Sequence, residues 1–179
     1  MLFLKIGQNS KLVEIFFLKI YNKPNRKKDV LMIEFKQATL DKETIDQLLE
    51  LSANWVREDC SFGIVANARE DLKEPCFIAL DGNKIVGYTF GHFYVKENKT
   101  SCIEIGSRCF DVDELYVLPE YRDKKIGGTL FKMIENFVKN DVDYITLSTP
   151  TKDYKRTLKF YVDNVDMTFH SAYLIKKTK

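Results

Sequence analysis

A chain of 179 residues is long enough for one domain with a substantial core, and 45% hydrophobic with 30% charged residues is ordinary for a folded globular protein. The formal net charge of +2 gives no strongly basic field, which argues against a nucleic-acid-binding protein. The four cysteines have no C-x-x-C spacing. They therefore predict reduced, mostly buried thiols in a cytoplasmic protein, without a metal site.

The first 31 residues differ from the rest of the chain. Apolar patches alternate with charged residues, and no uncharged run approaches the roughly 18 residues of a membrane span. Residues 24–29 form a polar, basic linker. The segment could be a helix or strand packed on the domain, an oligomer contact that would make a homodimer, or an upstream extension. We expect an ordered accessory element over residues 1–31, since its apolar side chains would otherwise be exposed, and the main domain over residues 32–179.

From residue 33 onward the pattern alternates between strands and helices, which predicts a mixed α/β fold. Asp41 is placed to cap the first helix, and Asp81-Gly82-Asn83 predicts a hairpin turn. Strands are predicted at residues 33–38, 76–80, 85–95, within 101–117, at 144–148 and at 167–175. Helices are predicted after residue 41, over much of 54–68, and at 130–139 and 155–162.

Residues 113–128 are the most informative segment of the chain. An apolar strand end is stopped by Pro119, and a basic run from Arg122 leads to Gly127 and Gly128. An apolar helical pattern follows at once. The first N–H groups of a helix have no intrahelical partner and lie at the positive end of its dipole. The segment therefore predicts a site for a phosphate or pyrophosphate.

The same segment resembles motif A of the GCN5-related N-acetyltransferases, which reads L-Y-V-x-P-x-Y-R-G-x-G-I-G and holds the pyrophosphate of coenzyme A. Here the run is L-Y-V-L-P-E-Y-R-D-K-K-I-G, with Asp123 and Lys125 in place of two glycines. Glycine lets the backbone approach a ligand and take positive φ, so we expect binding with an altered loop geometry. The resemblance implies the fold of this family, a mostly antiparallel sheet that splays between its fourth and fifth strands, with helices on both faces.

The resemblance also implies where acetyl-coenzyme A binds. Strand backbone would meet the acetyl and pantetheine groups, the following loop would meet the pyrophosphate, and a residue of the last helix is a further candidate contact. In chain order the predicted cofactor residues are Leu115, Tyr116, Val117, Arg122, Asp123, Lys124, Lys125, Ile126, Gly127, Gly128, Thr129 and Tyr154.

Acetyl transfer to an amine needs a group that removes the proton of the amine and donors that stabilise the developing oxyanion. The resemblance implies the N–H of Val117 as a donor and Asp113 as the base, with Asp111, Glu114 or water as alternatives. Strand alternation predicts two faces, and a bulge near residues 109–110 would change them. The predicted faces are Asp111, Asp113, Leu115 and Val117 on one side, and Val112, Glu114 and Tyr116 on the other.

Tyr161 matches the tyrosine of the family's final helix and is the candidate acid that protonates the leaving thiolate. His92 and His170 stand in no recognisable triad or metal spacing and are predicted to be structural. Acids outnumber basic residues in the region that shapes the acceptor pocket of the family, which suggests a cationic amine, with an ordinary solvated surface as the alternative. We therefore predict a cytoplasmic N-acetyltransferase of a primary amine, without nucleic acid or membrane partners.

Alternatives to this function remain open. A protein amino terminus could be the acceptor, or the chemistry could use a longer acyl group or a hydroxyl acceptor. A degenerate relative could instead hold coenzyme A as a sensor or assembly subunit, because two loop glycines are replaced.

Overall fold

The computed structural model describes residues 2–4, 15–21 and 30–178. Short 3₁₀ turns at Arg69–Asp71 and Pro119–Tyr121, and a π-helical turn at Lys159–Asn164, supplement the main elements. In chain order the main elements are β1 (Leu2–Leu4), β2 (Ile15–Tyr21), β3 (Val30–Gln37), α1 (Lys42–Arg57), β4 (Cys76–Asp81), β5 (Lys84–Val95), β6 (Arg108–Val117), α2 (Ile126–Val138), β7 (Tyr144–Thr146) and α3 (Tyr154–Leu158).

The described strands form one sheet in which the spatial order equals the chain order, β1 to β7. Every neighbouring pair is antiparallel except β6 and β7, which are parallel and connected through α2. A parallel pair needs such a crossover, because a tight turn cannot return the chain in the same direction. The predicted mixed α/β fold with a mostly antiparallel sheet is confirmed.

The two long helices cover opposite faces of the sheet. Trp55 of α1 stacks on Tyr116 of β6 at 5.4 Å between ring centroids. Phe137 of α2 packs on Phe77 of β4 at 5.6 Å and on Phe93 of β5 at 6.4 Å. Tyr116 lies opposite Tyr88 of β5, so these two side chains share one face of the sheet. Tyr88 and Phe93 are five residues apart on β5, and side chains an odd number of residues apart project to opposite faces. The two helices therefore pack on opposite faces. The core therefore has two layers around the sheet.

The first predicted helix is confirmed, including its start. The side chain of Asp41 accepts a hydrogen bond from the backbone N–H of Thr44 at 2.9 Å, as an N-cap does. Ile45, Leu48 and Leu51 are buried, which is the helical stripe that the sequence shows.

The helix predicted over much of 54–68 is wrong. Helix α1 ends at Arg57, and Asp59 and Gly63 then take the left-handed φ values of 49° and 69°, which a helix cannot continue. Ser61 instead forms a β-bridge with Thr151. The segment from 58 to 68 is thus an irregular loop.

The closing strand predicted at 167–175 is also wrong. Residues 165–178 form no regular element, and the side chains of Tyr173, Leu174 and Ile175 are exposed. Strand β7 ends after three residues at Thr146, earlier than predicted, and the chain then turns towards the loop that contains Ser61. Strand β7 is therefore too short to pair with a closing strand of the predicted length.

Strand β2 adds the amino-terminal segment to the sheet. It pairs with β3 from Phe16 opposite Phe35 to Tyr21 opposite Val30, and Leu18 packs against the core. Strand β1 pairs in turn with β2. Residues 5–14 and 22–29, which include the predicted linker, lie outside the described residues.

Removing residues 1–29 should leave the domain folded. Strand β3 remains whole, and its buried Ile33 and Phe35 keep β4 as their neighbour in the sheet. Thermal unfolding followed by circular dichroism should stay cooperative, with a lower midpoint because Leu18 no longer covers the core. Loss of the cooperative transition would place the segment within the core of the domain.

Candidate active site

A cleft opens where β6 and β7 separate. The two strands pair only over Cys109–Asp111 and Tyr144–Thr146, and beyond these residues the edge of β6 has no strand partner in the described chain. The cleft has a volume of about 2070 Å³. Its walls include the end of β6, the start of α2, the loop after α1, the loop between β7 and α3, and the π-helical turn.

The free edge of β6 offers backbone groups to the cleft. The backbone N–H of Leu118 donates to the carbonyl of Val86 in β5 at 3.0 Å, so it points away from the cleft. Backbone N–H and C=O groups alternate in direction along a strand, and those of Val117 and Leu115 therefore point towards the free edge. The carbonyl of Val117 accepts a hydrogen bond from Nε of Arg122 at 2.8 Å. This leaves the N–H groups of Leu115 and Val117 as donors at that edge.

The loop before α2 keeps a glycine-like conformation without glycine. Asp123 and Lys125 have φ values of 59° and 66°, in the left-handed region, at the two positions where the family motif has glycine. Lys125 is the N-cap of α2, and its carbonyl accepts hydrogen bonds from the N–H and the hydroxyl of Thr129, each at 3.0 Å. The first N–H groups of α2 thus open onto the cleft, which suits an anion.

Lys125→Gly should stabilise the protein. A left-handed residue other than glycine costs about 1–2 kcal/mol, whereas glycine adopts this region freely. After the extra entropy of an unfolded glycine, the free energy of unfolding should rise by about 0.5–1 kcal/mol, measured by urea denaturation. Lys124→Gly removes the same charge at a position without positive φ and should lower stability. An equal response of both variants would contradict the strained geometry.

All predicted cofactor residues except Lys124 and Tyr154 line the cleft. The amino group of Lys124 instead donates to the carbonyl of Glu120 at 2.6 Å, and Tyr154 is exposed at the first turn of α3. Further cations that the motif does not contain line the cleft, among them Lys132, Arg156 and Lys159. Their positive charge favours a ligand with phosphate groups.

A β-bulge changes the predicted faces of β6. Phe90 pairs with Glu114 while Gly91 pairs with Val112, so Asp113 is the extra residue. Cross-strand partners project to the same side of a sheet, which puts Glu114 with Phe90 and Asp111 with His92. The prediction that Asp111 shares its face with Leu115 and Val117, opposite Glu114, is wrong, because the bulge at Asp113 interrupts the alternation, beyond residues 109–110 where a bulge was considered.

Asp113 stands at the bulge and lines the cleft. Its carboxylate contacts Nδ1 of His92 at 2.9 Å and Nζ of Lys73 at 3.3 Å. The side chain of Asp113 is 21% exposed and that of His92 is 44% exposed, so the imidazole connects the carboxylate to solvent. His92, which the sequence indicated as structural, therefore belongs to the surroundings of the candidate base.

Glu114 is part-buried and lies on the side of the sheet that carries Phe90. Its Oε2 accepts hydrogen bonds from the hydroxyl of Tyr88 at 2.6 Å and from Nδ2 of Asn67 at 3.0 Å. Burial raises the pKa of Glu114, and these two hydrogen bonds oppose the increase, while the charges of Asp113 and Asp71 add to it.

Glu114 should make stability depend on pH. Because its pKa is raised in the folded state, its contribution to stability is full below the ordinary glutamate pKa and is lost as pH rises through the raised value. The free energy of unfolding of the wild type should therefore fall relative to that of Glu114→Gln over this window. Urea denaturation at a series of pH values measures the difference, and a constant difference would contradict the burial of the charged form.

Tyr161 lines the cleft from the π-helical turn. Its ring packs edge-on against Phe160 at 4.9 Å and against Phe131 of α2 at 6.3 Å. Burial raises the pKa of Tyr161 to about 12, so the hydroxyl keeps its proton at neutral pH. π-helical turns are rare overall but frequent at functional sites, and this one contributes Phe160, Tyr161, Asp163 and Asn164 to the lining of the cleft.

Comparison with known proteins agrees with this geometry. The model of the acetyltransferase (GNAT) family matches residues 42–163, which is more than half of the chain. The chain belongs to the GNAT family. No curated protein matches it at a significant level of sequence similarity.

Solved structures share the GNAT fold with this chain at low sequence identity. A predicted acetyltransferase with acetyl-CoA from Clostridium acetobutylicum is 18% identical over 82% of this chain and 96% of its own, with a TM-score of 0.57. A ribosomal-protein-alanine N-acetyltransferase from Brucella melitensis is 18% identical over 81% and 99%, with a TM-score of 0.56. AAC(6')-Iy, bound to a bisubstrate analog of coenzyme A and acetylneamine, is 13% identical over 82% and 99%, with a TM-score of 0.58.

In this GNAT domain, two loops that line the cleft are joined by backbone hydrogen bonds, and this connection, here called the strap, was not indicated by the sequence. The N–H of Phe62 donates to the carbonyl of Pro150, and the N–H of Lys152 donates to that of Cys60, both at 2.8 Å. Nζ of Lys152 also bonds Asp59 at 2.5 Å and lies 5.4 Å from the ring centroid of Phe62. The loop after α1 is thereby joined to the loop between β7 and α3, and both line the cleft.

The described residues of this GNAT domain contain no cluster of three or more histidine, cysteine, aspartate or glutamate side chains suited to a metal ion. None of the helices in the described part of the chain combines the length and apolar character that a membrane crossing requires.

Proposed function

We propose that this protein transfers the acetyl group of acetyl-coenzyme A to a primary amine by direct attack. The observation that carries the proposal is one cleft that combines the free edge of β6, the amino-terminal end of α2 and the carboxylates at the bulge. Backbone donors suit the pantetheine and acetyl groups, the helix end suits a pyrophosphate, and a carboxylate suits an amine.

The cofactor is held by the chain's own backbone in this proposal. The N–H groups of Lys125, Gly127 and Gly128 and the surrounding cations receive the phosphates. The free N–H groups of Leu115 and Val117 receive amide and thioester oxygens, and an N–H at this edge stabilises the oxyanion that forms during attack. Acetyl-coenzyme A supplies the activated acetyl group, and no metal takes part.

The carboxylate of Asp113 removes the proton of the acceptor amine, directly or through a water molecule. The nitrogen lone pair then attacks the thioester carbon, a C–N bond forms, and the C–S bond breaks. Tyr161 donates its proton to the departing thiolate of coenzyme A, and it regains a proton, directly or through water, from the second proton that the nitrogen loses as the amide forms. His92 contacts Asp113 and is partly exposed, so it can pass the amine proton on to solvent. This route favours Asp113 as the base over Glu114, whose carboxylate is held by Tyr88 and Asn67.

A cationic amine is the proposed acceptor. Asp113 and Glu114 line the cleft beside the loop after α1, and carboxylates there attract an ammonium group before it is deprotonated. Two proteins of similar fold are described as acting on an aminoglycoside and on the alanine of a ribosomal protein, so both acceptor types belong in a screen. The buried thiols of Cys76 and Cys109 suit a reducing compartment, and we include a cytoplasmic location in the proposal.

Calorimetry and thiol release together test the proposal. Coenzyme A should bind the wild type, and free thiol should appear from acetyl-coenzyme A when a suitable amine is added. The panel is neamine, spermidine and a peptide with an amino-terminal alanine, with an alcohol and a longer acyl thioester as comparisons. Binding without thiol release on any acceptor would favour a sensor or assembly subunit. Absence of coenzyme A binding would overturn the proposal.

A further inference from the structure

Arg122 is engaged by protein atoms at the entrance to the cofactor loop. Its Nη2 donates to both carboxylate oxygens of Glu58, at 2.8 and 2.7 Å, while its Nε donates to the carbonyl of Val117. The guanidinium carbon lies 5.6 Å from the ring centroid of Tyr116. Two nitrogens of the planar guanidinium thus serve two acceptors at once, the carboxylate of Glu58 and the carbonyl of Val117, in a fixed geometry that a lysine ammonium does not have.

Glu58 has a physical need for this partner. It is the C-cap of α1, where the helix dipole disfavours a negative charge. The side chains of Glu58 and Arg122 are only 19% and 25% exposed, so neither charge is well solvated. The hydroxyl of Tyr116 also donates to Glu58. The pKa of Tyr116 is raised mainly by burial and further by this hydrogen bond. Removing one member would leave an uncompensated charge.

We infer that the Glu58–Arg122 pair positions the cofactor loop, and that Arg122 acts through this pair rather than by touching the phosphates of coenzyme A. The inference rests on the proposed function. Arg122 joins three elements at the point where the loop begins: the end of α1, the end of β6 and the turn before α2. The strained residues Asp123 and Lys125 follow at once, and a fixed entrance holds their N–H groups towards the ligand.

Glu58→Gln separates the two roles of Arg122 by the sign of its effect. If Arg122 touched phosphate directly, removing the carboxylate would free the guanidinium, and affinity for coenzyme A would rise or stay unchanged. A positioning pair predicts the opposite, because the loop entrance loosens. We expect affinity in Glu58→Gln and in Arg122→Gln to fall by roughly 2- to 100-fold, the range of coupling between contacting residues.

The double variant and a conservative variant complete the test. Glu58→Gln with Arg122→Gln should bind coenzyme A no more weakly than the weaker single variant, since both changes break one unit. Arg122→Lys keeps the charge but loses the fork, so it should also weaken binding, whereas a direct phosphate contact would tolerate lysine. This variant keeps the inference testable if a neutral substitution fails to fold.

Glu120→Gln is the matched control. Glu120 lies on the turn that precedes Arg122, and its substitution removes one negative charge, as Glu58→Gln does. Its ion pair with Lys84, however, is exposed, with 3.7 Å between the charged atoms. Its affinity should match the wild type in calorimetry. Unchanged or tighter binding in Glu58→Gln, with weaker binding in Arg122→Gln, would overturn the positioning role alone. A wild type that does not bind coenzyme A would overturn the proposed function itself.

Discussion

Asp113→Asn is expected to lower turnover at neutral pH by roughly 10²- to 10⁴-fold, the usual contribution of a general base. The amide keeps the size of the side chain but cannot accept the proton of the ammonium. The defect should shrink as pH rises, because the amine then arrives without its extra proton. Steady-state rates across a pH series, with the best acceptor of the panel, measure this change.

Glu114→Gln identifies the base by contrast. It removes the neighbouring carboxylate on the same strand while its partners Tyr88 and Asn67 can still hydrogen-bond an amide. We expect its pH–rate profile to keep the wild-type shape. If Glu114→Gln loses the profile and Asp113→Asn keeps it, the base is Glu114. A wild-type profile in both variants would leave Asp111 or water as the base.

Tyr161→Phe should lower turnover by about 10²-fold, at the low end of acid–base contributions, since the thiolate of coenzyme A is a fairly good leaving group. The phenyl ring preserves the contacts with Phe131 and Phe160, so affinity for acetyl-coenzyme A should not change. Burial keeps the hydroxyl protonated up to a pKa of about 12, and the acid form is therefore available throughout a neutral assay.

Tyr154→Phe serves as the control for this effect. It removes a hydroxyl from an exposed ring that lies outside the cleft lining, on the same stretch of chain. Its rate should equal that of the wild type. A wild-type rate in Tyr161→Phe would show that Tyr161 only packs, and a weaker affinity would indicate that it contacts the cofactor instead.

Local sequence patterns were sufficient for the parts of the fold that depend on local energetics. The cap at Asp41, the apolar stripe of α1 and the strand–turn–helix of residues 113–128 follow from hydrogen-bonding needs and periodicity. The prediction of an anion site at the start of α2 needs only the orphan N–H groups of a helix.

Contacts between distant segments could not be predicted in the same way. The bulge at Asp113 depends on the register between β5 and β6, and a slip of one residue exchanges the faces of a strand. The motif predicts Arg122 as a phosphate ligand, but its partner Glu58 lies 64 residues away in the sequence, where no local pattern indicates the contact. The strap between Phe62 and Pro150 is likewise a long-range contact without a local signal.

The wrong closing strand has a related cause. Residues 167–175 have the apolar and aromatic content of a strand, but a strand forms only where a neighbour offers free backbone groups. Strand β7 ends at Thr146, and the chain that follows it turns towards the loop that contains Ser61.

The loop before α2 keeps its backbone conformation although the two glycines of the family motif are replaced. Asp123 and Lys125 keep the left-handed geometry that their side chains disfavour, because the surrounding contacts determine it.

Transfer of an isotopically labelled acetyl group tests the account most directly. The wild type is incubated with labelled acetyl-coenzyme A and the amine panel, and mass spectrometry detects label in the amine. We predict a labelled amide with at least one acceptor, no label retained covalently on the protein, and strongly reduced product with Asp113→Asn at neutral pH. Bound acetyl-coenzyme A without labelled product on any acceptor, at neutral or alkaline pH, would contradict the account.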